Sequence, residues 1–326
     1  MGIVILVIVL AGLLILIGAA NYMVDFSIKR GSGASSAIDD SLVEYDSPEQ
    51  EQIETAANAY KKQVRAEADQ WVEQMNPEVL SVTTEDGLKL QARFFQQKGQ
   101  NADNHLYSIL VHGYGSSFDY VEDYAKAYYE KGYHVLTPDM RAMGGSEGTY
   151  IGMGWLDRMD MLLWIKTITD RDPDAEIVMH GFSMGAATIM MLSGEEQLPE
   201  QVKVFVEDCG YSSDWAELSD KLHKIYHLPD FPLMYAVNVM TKLKAGYYVS
   251  EASCIKQLAK NETPMLFIHG DMDDYNPYYM LDEVYEANAC QEKEKLVVHG
   301  ARHVMSAYTE PETYWNTVWK FIEKYI

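Results

Sequence analysis

The pentapeptide Gly181-Phe182-Ser183-Met184-Gly185 constrains this chain more than any other stretch. Ahead of it runs the strand-like segment Ile177-Val178-Met179, and behind it the helix-forming run Ala186-Ala187-Thr188-Ile189-Met190-Met191. A serine held between two glycines at a strand-to-helix reversal requires a tight turn in which neighbouring backbone comes very close. Such a turn lifts the hydroxyl clear of the sheet. It also places it at the positive end of a helix, where developing negative charge is favoured.

The rest of the chain supplies a sheet for that turn. Residues 79–83 and 88–95 read as an antiparallel hairpin around the Glu85-Asp86-Gly87 turn. Strand-like runs then follow at 106–111, 134–137, 176–179, 202–206, 265–268 and 296–298, with helical patterns at 120–131, 155–169 and from 184 onward. This alternation predicts an α/β fold with a mostly parallel central sheet flanked by helices. The interval between the strands at 202–206 and 265–268 is too long for a simple crossover. A small helical cap is therefore expected over about residues 211–256. That insert is rich in Tyr, Leu, Met and Pro, and Phe231 and Met234 are its candidate substrate-pocket residues. Phe182, inside the elbow, is a third.

The N-terminus reads differently. Residues 2–20 carry no charge and consist almost wholly of Ile, Leu, Val, Gly and Ala, the length a bilayer-spanning helix needs. No Lys or Arg precedes the run, which argues against a secretory signal peptide. We expect a membrane anchor over 1–24, a flexible tether over 25–50, an amphipathic helix over 51–78, and the α/β domain with its cap over 79–326. Lys29 and Arg30 follow the span and favour a body on the cytoplasmic side, but two charges do not fix orientation. The sequence has 49 acidic against 26 basic residues, a formal charge of -23. Such a surface repels phosphate backbones, so no nucleic-acid partner is expected. The cysteines Cys209, Cys254 and Cys290 are scattered and form neither a disulfide framework nor a metal site. Nothing in the sequence fixes an oligomeric state.

A serine hydroxyl is a weak nucleophile and needs a base, and the base needs an orienting acid. With the serine on such an elbow, the expected chain order is Ser, then Asp or Glu, then His. His303, in Gly300-Ala301-Arg302-His303 after the last strand, fits that order. His180, His112 and His269 end strands and read as structural. The acid belongs in the loop Asp271-Met272-Asp273-Asp274-Tyr275-Asn276-Pro277 or, as a rival, at Asp208. Asp273 sits far enough from the strand end for the loop to curve back toward the imidazole. The oxyanion hole should use the backbone amides of Met184 and Tyr114, the latter in the Val111-His112-Gly113-Tyr114-Gly115 strand-end loop.

Together these residues resemble the α/β-hydrolase superfamily, and most nearly its bacterial membrane-anchored branch of serine aminopeptidase-like or acyl hydrolase proteins. The resemblance runs from about residue 79 to the C-terminus. It includes Asp139-Met140-Arg141-Ala142-Met143-Gly144-Gly145-Ser146-Glu147-Gly148, Met153-Gly154-Trp155-Leu156-Asp157-Arg158 and Asp273 four residues before Pro277. It implies that Asp273 is the acid, and that Asn276 stands where an aliphatic residue is usual. The expected activity is hydrolysis of small-molecule carboxylic esters or thioesters through an acyl-enzyme, with Ser183, His303 and Asp273 as the triad and no metal or cofactor. A serine peptidase or aminopeptidase is the alternative within that chemistry. A non-catalytic membrane-tethered binding protein of the same fold is the alternative outside it.

Overall fold

The computed structural model describes residues 1–32 and 47–326. Of the tether expected over 25–50, residues 33–46 lie outside the described residues. Eight strands form one sheet: β1 (Glu78–Thr83), β2 (Lys89–Phe95), β3 (Leu106–Val111), β4 (His134–Pro138), β5 (Glu176–Phe182), β6 (Val202–Asp208), β7 (Met265–Gly270) and β8 (Lys293–Val298). Their spatial order is β1-β2-β4-β3-β5-β6-β7-β8. The hairpin of β1 and β2 is antiparallel and joins β4 antiparallel; every pairing from β4 to β8 is parallel. The parallel strands β3, β5, β6 and β7 are almost wholly buried, as helices on both faces require.

Eleven helices surround or cap this sheet among the described residues: α1 (Gly2–Ile28), α2 (Pro48–Met75), α3 (Glu122–Glu130), α4 (Asp157–Arg171), α5 (Met184–Leu192), α6 (Asp214–Tyr226), α7 (Leu233–Ala245), α8 (Cys254–Leu258), α9 (Tyr279–Ala287), α10 (Ser306–Thr309) and α11 (Pro311–Ile322). The two faces of the sheet have separate cores. One contains Ile109, Met179, Trp164 and Phe267; the other contains Leu110, Val178, Phe182 and Phe321. Consecutive strand residues fall in opposite cores, as the two-residue period demands. α6 and α7 lie in the stretch expected to form a cap. α2 begins at Pro48, three residues before its expected start, because Ser47 caps it by accepting from the Gln50 amide at 3.2 Å. Its Trp71 stacks on Phe95 of the body with ring centroids 4.8 Å apart.

α1 departs from the expected boundary. An anchor ending at residue 24 with a tether from 25 would leave the apolar helix free of the body. Instead the helix runs on to Ile28, and Ala20, Val24 and Ile28 are buried in the main core. Polar contacts fasten its end. Asp25 Oδ1 accepts from Lys244 Nζ at 2.7 Å and from Tyr150 Oη at 3.0 Å. The Ile28 carbonyl accepts from the Ile151 amide at 2.8 Å, and Arg30 donates to the carbonyls of Gly144 and Ser146. The loop that receives Arg30 is itself ordered by Asp139, whose carboxylate accepts from the Gly145 amide at 2.6 Å and the Phe118 amide at 2.7 Å.

Candidate active site

Ser183 stands between β5 and α5 with φ 55° and ψ -117°, a conformation that non-glycine residues avoid. Its neighbours explain how the strain is imposed. A Cβ on Gly181 would lie 2.3 Å from the Gly185 carbonyl oxygen, and one on Gly185 would lie 2.0 Å from the Val111 carbonyl oxygen. Only glycine permits either approach. The Ser183 amide donates to the Asp208 carbonyl at 2.9 Å, which ties the turn to the adjacent strand end.

The fold brings together three of the residues singled out in the sequence. His303 Nε2 lies 2.8 Å from Ser183 Oγ, and His303 Nδ1 lies 2.7 Å from Asp273 Oδ2. Asp273 is buried and is held by its own loop: Oδ1 accepts from the amides of Tyr275 at 3.0 Å and Asn276 at 2.9 Å. Burial raises its pKa, but the two histidines beside it and their hydrogen bonds outweigh that and hold the carboxyl well below the usual range. An ionised carboxylate only accepts, so Nδ1 of His303 carries the proton and Nε2 is left to accept from Ser183.

The second of those histidines was missed in the sequence. His269 Nε2 lies 3.2 Å from Asp273 Oδ2 and 2.9 Å from the Asn276 carbonyl oxygen, so it donates to both and braces the acid loop. The four-residue spacing from His269 to Asp273 was its only available signal. Asn276, the departure from the family pattern, is buried and donates through Nδ2 to the Cys209 carbonyl at 2.7 Å. It fastens the acid loop to the end of β6.

The other acids have different partners. Asp208 accepts from Tyr314 Oη at 2.8 Å, and burial pushes it up to about 6. Asp271 accepts from His299 Nδ1 at 2.6 Å and the Gly300 amide at 2.7 Å. Asp274 pairs with Arg302 at 3.0 Å. His180 is buried between the hydroxyls of Tyr128 and Tyr314, and burial pushes it down to about 3. Among the described residues, two groups each bring possible metal-ligand atoms within 4.8 Å of one another: Cys209 with Asp273 and His303, and His105 with Asp172 and Asp174. In each the imidazole is already paired with a carboxylate.

Met184 is the first residue of α5, so its amide has no partner within the helix. The turn after β3 runs alongside: a Cβ on Gly113 would lie 3.3 Å from Ser183 Cβ. His112 sets that turn. Its Nε2 accepts from the Met140 amide at 3.1 Å, so Nδ1 carries the proton and donates to the Gly113 carbonyl at 2.8 Å. The Gly113 carbonyl and the Tyr114 N–H belong to one planar trans peptide and point in opposite directions. Turning the carbonyl toward His112 therefore turns the Tyr114 amide away from it.

Above Ser183 lies a cavity of about 150 Å³, walled by Tyr114, Met153 and Tyr211 of the body, by Leu222 of α6 and by Met23 and Phe26 of α1. Glu217 and Lys221 are its charged lining residues. None of the three pocket residues expected from sequence lines it. Phe182 is fully buried on the far face, where Tyr124 packs on it with ring centroids 4.2 Å apart, because it shares the strand parity of Val178. Phe231 is 72% exposed in the α6–α7 connection. Met234 is buried on the face of α7 that packs against α1.

This sheet order with a serine on the elbow after β5 is the α/β-hydrolase fold. A family model described as the alpha/beta hydrolase fold matches residues 109–228, which include Ser183. The chain is similar to the uncharacterized protein YqkD of Bacillus subtilis, 27% identical over 216 residues, or 66% of this chain and 70% of the relative. Among solved structures it is similar to an esterase of Pyrococcus furiosus, with TM-score 0.60 and 24% identity over 78% of this chain and 94% of the esterase. It is also similar to an acylaminoacyl peptidase of Pyrococcus horikoshii, with TM-score 0.54 and 16% identity over 77% of this chain and 42% of the peptidase. At these identities the two structures speak to the fold.

Proposed function

We propose that this chain is a membrane-tethered serine hydrolase that cleaves carboxylic esters or thioesters through an acyl-enzyme. The observation that carries the reading is the continuous relay from Ser183 Oγ to His303 to Asp273, at 2.8 and 2.7 Å, on a strained elbow. In the proposed reaction Ser183 attacks the carbonyl carbon as His303 Nε2 takes its proton. Asp273 stabilises the imidazolium that forms. The amides of Met184 and Tyr114 receive the oxyanion. Collapse expels the leaving group with the proton from His303, and water repeats the sequence on the acyl-enzyme.

The cavity supports an acyl ester over a peptide. Its walls are methionine, leucine, phenylalanine and tyrosine, and its charged residues lie on α6 alone among the described residues. The tether rests on α1, whose 27 residues at 1.5 Å each extend about 40 Å, enough to cross a hydrocarbon core. The test is labelling by a fluorophosphonate probe and turnover of p-nitrophenyl butyrate, each in the wild type and in Ser183→Ala. The wild type should label and turn over, and the variant should do neither above a residue of about 10³-fold lower rate. A folded wild type that neither labels nor hydrolyses would support a binding role for the fold.

A further inference from the structure

The cavity above Ser183 has one wall that belongs to the membrane-tethering helix. Met23, Phe26 and Ser27 of α1 line it together with Leu222 of the cap. The contact reaches the oxyanion loop directly: Tyr114 donates through its hydroxyl to the Ser27 carbonyl at 2.5 Å, while its amide lies in the turn beside Ser183. The same helix that leaves the body at Ala20 as an uncharged, fully apolar rod is thus part of the reaction chamber within the next two turns. A bilayer gripped by the first part lies close to a chamber walled by the second.

The cap continues that apolar surface. α7 packs against α1 through Met234, Val237 and Thr241, and Lys244 near its end reaches the Asn21 carbonyl at 3.4 Å. That contact sets the end of α7 at the point where α1 leaves the body. Along its outer face Tyr235, Val239 and Leu243 fall at four-residue spacing and are 57%, 53% and 75% exposed. Ile225 and Tyr226, at the end of α6, line the cavity and are also exposed, which puts them at its mouth. A stripe of this kind in water is unfavourable, and beside a membrane span it is covered by the interfacial lipid.

We infer that the chamber takes its substrate from the bilayer: an acyl ester resident in the membrane, entering between α1 and the cap while the α7 stripe rests in the lipid interface. This rests on the serine-hydrolase reading above and adds the substrate class to it. With a formal charge of -23 the body repels anionic head groups, so the surface it fits is zwitterionic.

The full-length protein in phosphatidylcholine vesicles tests this with two esters of one leaving group. These are 4-methylumbelliferyl oleate, which partitions into the bilayer, and 4-methylumbelliferyl butyrate, which stays in water. The wild type should favour the oleate by at least about tenfold in kcat/KM. The variant V239E/L243E, altered only on the exposed stripe, should lose about tenfold on the oleate and stay within about twofold on the butyrate. Equal use of both esters by the wild type would overturn the inference independently of any variant. So would parallel loss, or no loss, in the variant. Cleavage of butyrate alone leaves the hydrolase reading standing and removes this one; cleavage of neither removes both.

Discussion

Asp273→Asn strikes the relay where the geometry is most constrained. Four groups donate to the wild-type carboxylate: His303 and His269 to Oδ2, and the amides of Tyr275 and Asn276 to Oδ1. Asparagine offers one acceptor oxygen and one NH2 group. If the oxygen stays with the two backbone amides, the NH2 faces two imidazole N–H donors. His303 must then accept at Nδ1 and carry its proton on Nε2, the nitrogen that faces Ser183. In that tautomer it cannot take the serine proton. If the amide flips, two buried backbone donors face an NH2 instead, at about 1–3 kcal/mol each. The loss expected from a wrong tautomer is up to about 10⁴ in kcat, or about 5 kcal/mol of barrier. The assay is kcat on p-nitrophenyl butyrate, with folding followed by circular dichroism. Asp208→Asn, Asp271→Asn and Asp274→Asn serve as controls, because their carboxylates are engaged with Tyr314, His299 and Arg302. Each should stay within about tenfold of wild type. An Asp273→Asn enzyme retaining a tenth of its turnover, or an Asp208→Asn enzyme more damaged than it, would refute the reasoning.

Two further outcomes follow from buried groups. His112→Ala frees the Gly113–Tyr114 peptide to rotate, so kcat should fall by about 10²–10³ with KM changed by no more than a few-fold. Burial pushes His112 down to about 4, so this loss should be constant from pH 6 to 9; a loss seen only in KM would count against the role given to His112. Glu207 is buried on β6, and burial pushes its carboxyl up to about 8. The folded state therefore binds a proton that the unfolded state, with an ordinary glutamate near pH 4.3, releases, and stability falls as pH rises between these values by up to about 1.4 kcal/mol per unit. Asp157, raised to about 7, and Asp208, raised to about 6, act with the same sign. Denaturant melts at pH 5.5 and 8 should show a smaller loss in Glu207→Gln than in wild type; equal losses would mean that Glu207 is not titrating.

The parts of this molecule legible in the sequence are those in which one residue type answers a local demand. Gly181 and Gly185 are needed because neighbouring carbonyls stand where a Cβ would be, and a serine between them after a buried strand leaves few other structures. The buried parallel strands β3, β5, β6 and β7 carry their burial in their own composition. The pocket failed for the opposite reason. Richness in aromatic and methionine side chains gives apolar character but not direction, and α7 turns Met234 into packing while Phe231 faces water. Phe182 was recoverable in principle, since the two-residue period sets it on the same face as Val178 and His180. His269 lay hidden because strand-end histidines have ordinary structural uses. Met23, Phe26 and Ser27 gave no sign of lining a chamber: they continue an apolar run whose hydropathy already had a sufficient explanation.

That second use of α1 bears on the rival reading of the N-terminus as a cleaved signal. A signal sequence is discarded, so nothing downstream should depend on it. Here a cut after Ala20, the small-residue position that reading would use, removes a buried residue from the core and opens a charged amine at Asn21, beside the Lys244 contact. It leaves two helical turns, with four unsatisfied amides at their new start, to hold Met23, Phe26 and Ser27 against the chamber. So short a helix is unstable alone, and Asp25, Tyr150 and Lys244 would have to hold it in place. The Tyr114–Ser27 bond would then brace the oxyanion loop against a frayed segment instead of a long rigid helix. On the tether proposed above, this packing couples the two ends of α1: what would fix the helix in a bilayer would also fix the wall over Ser183.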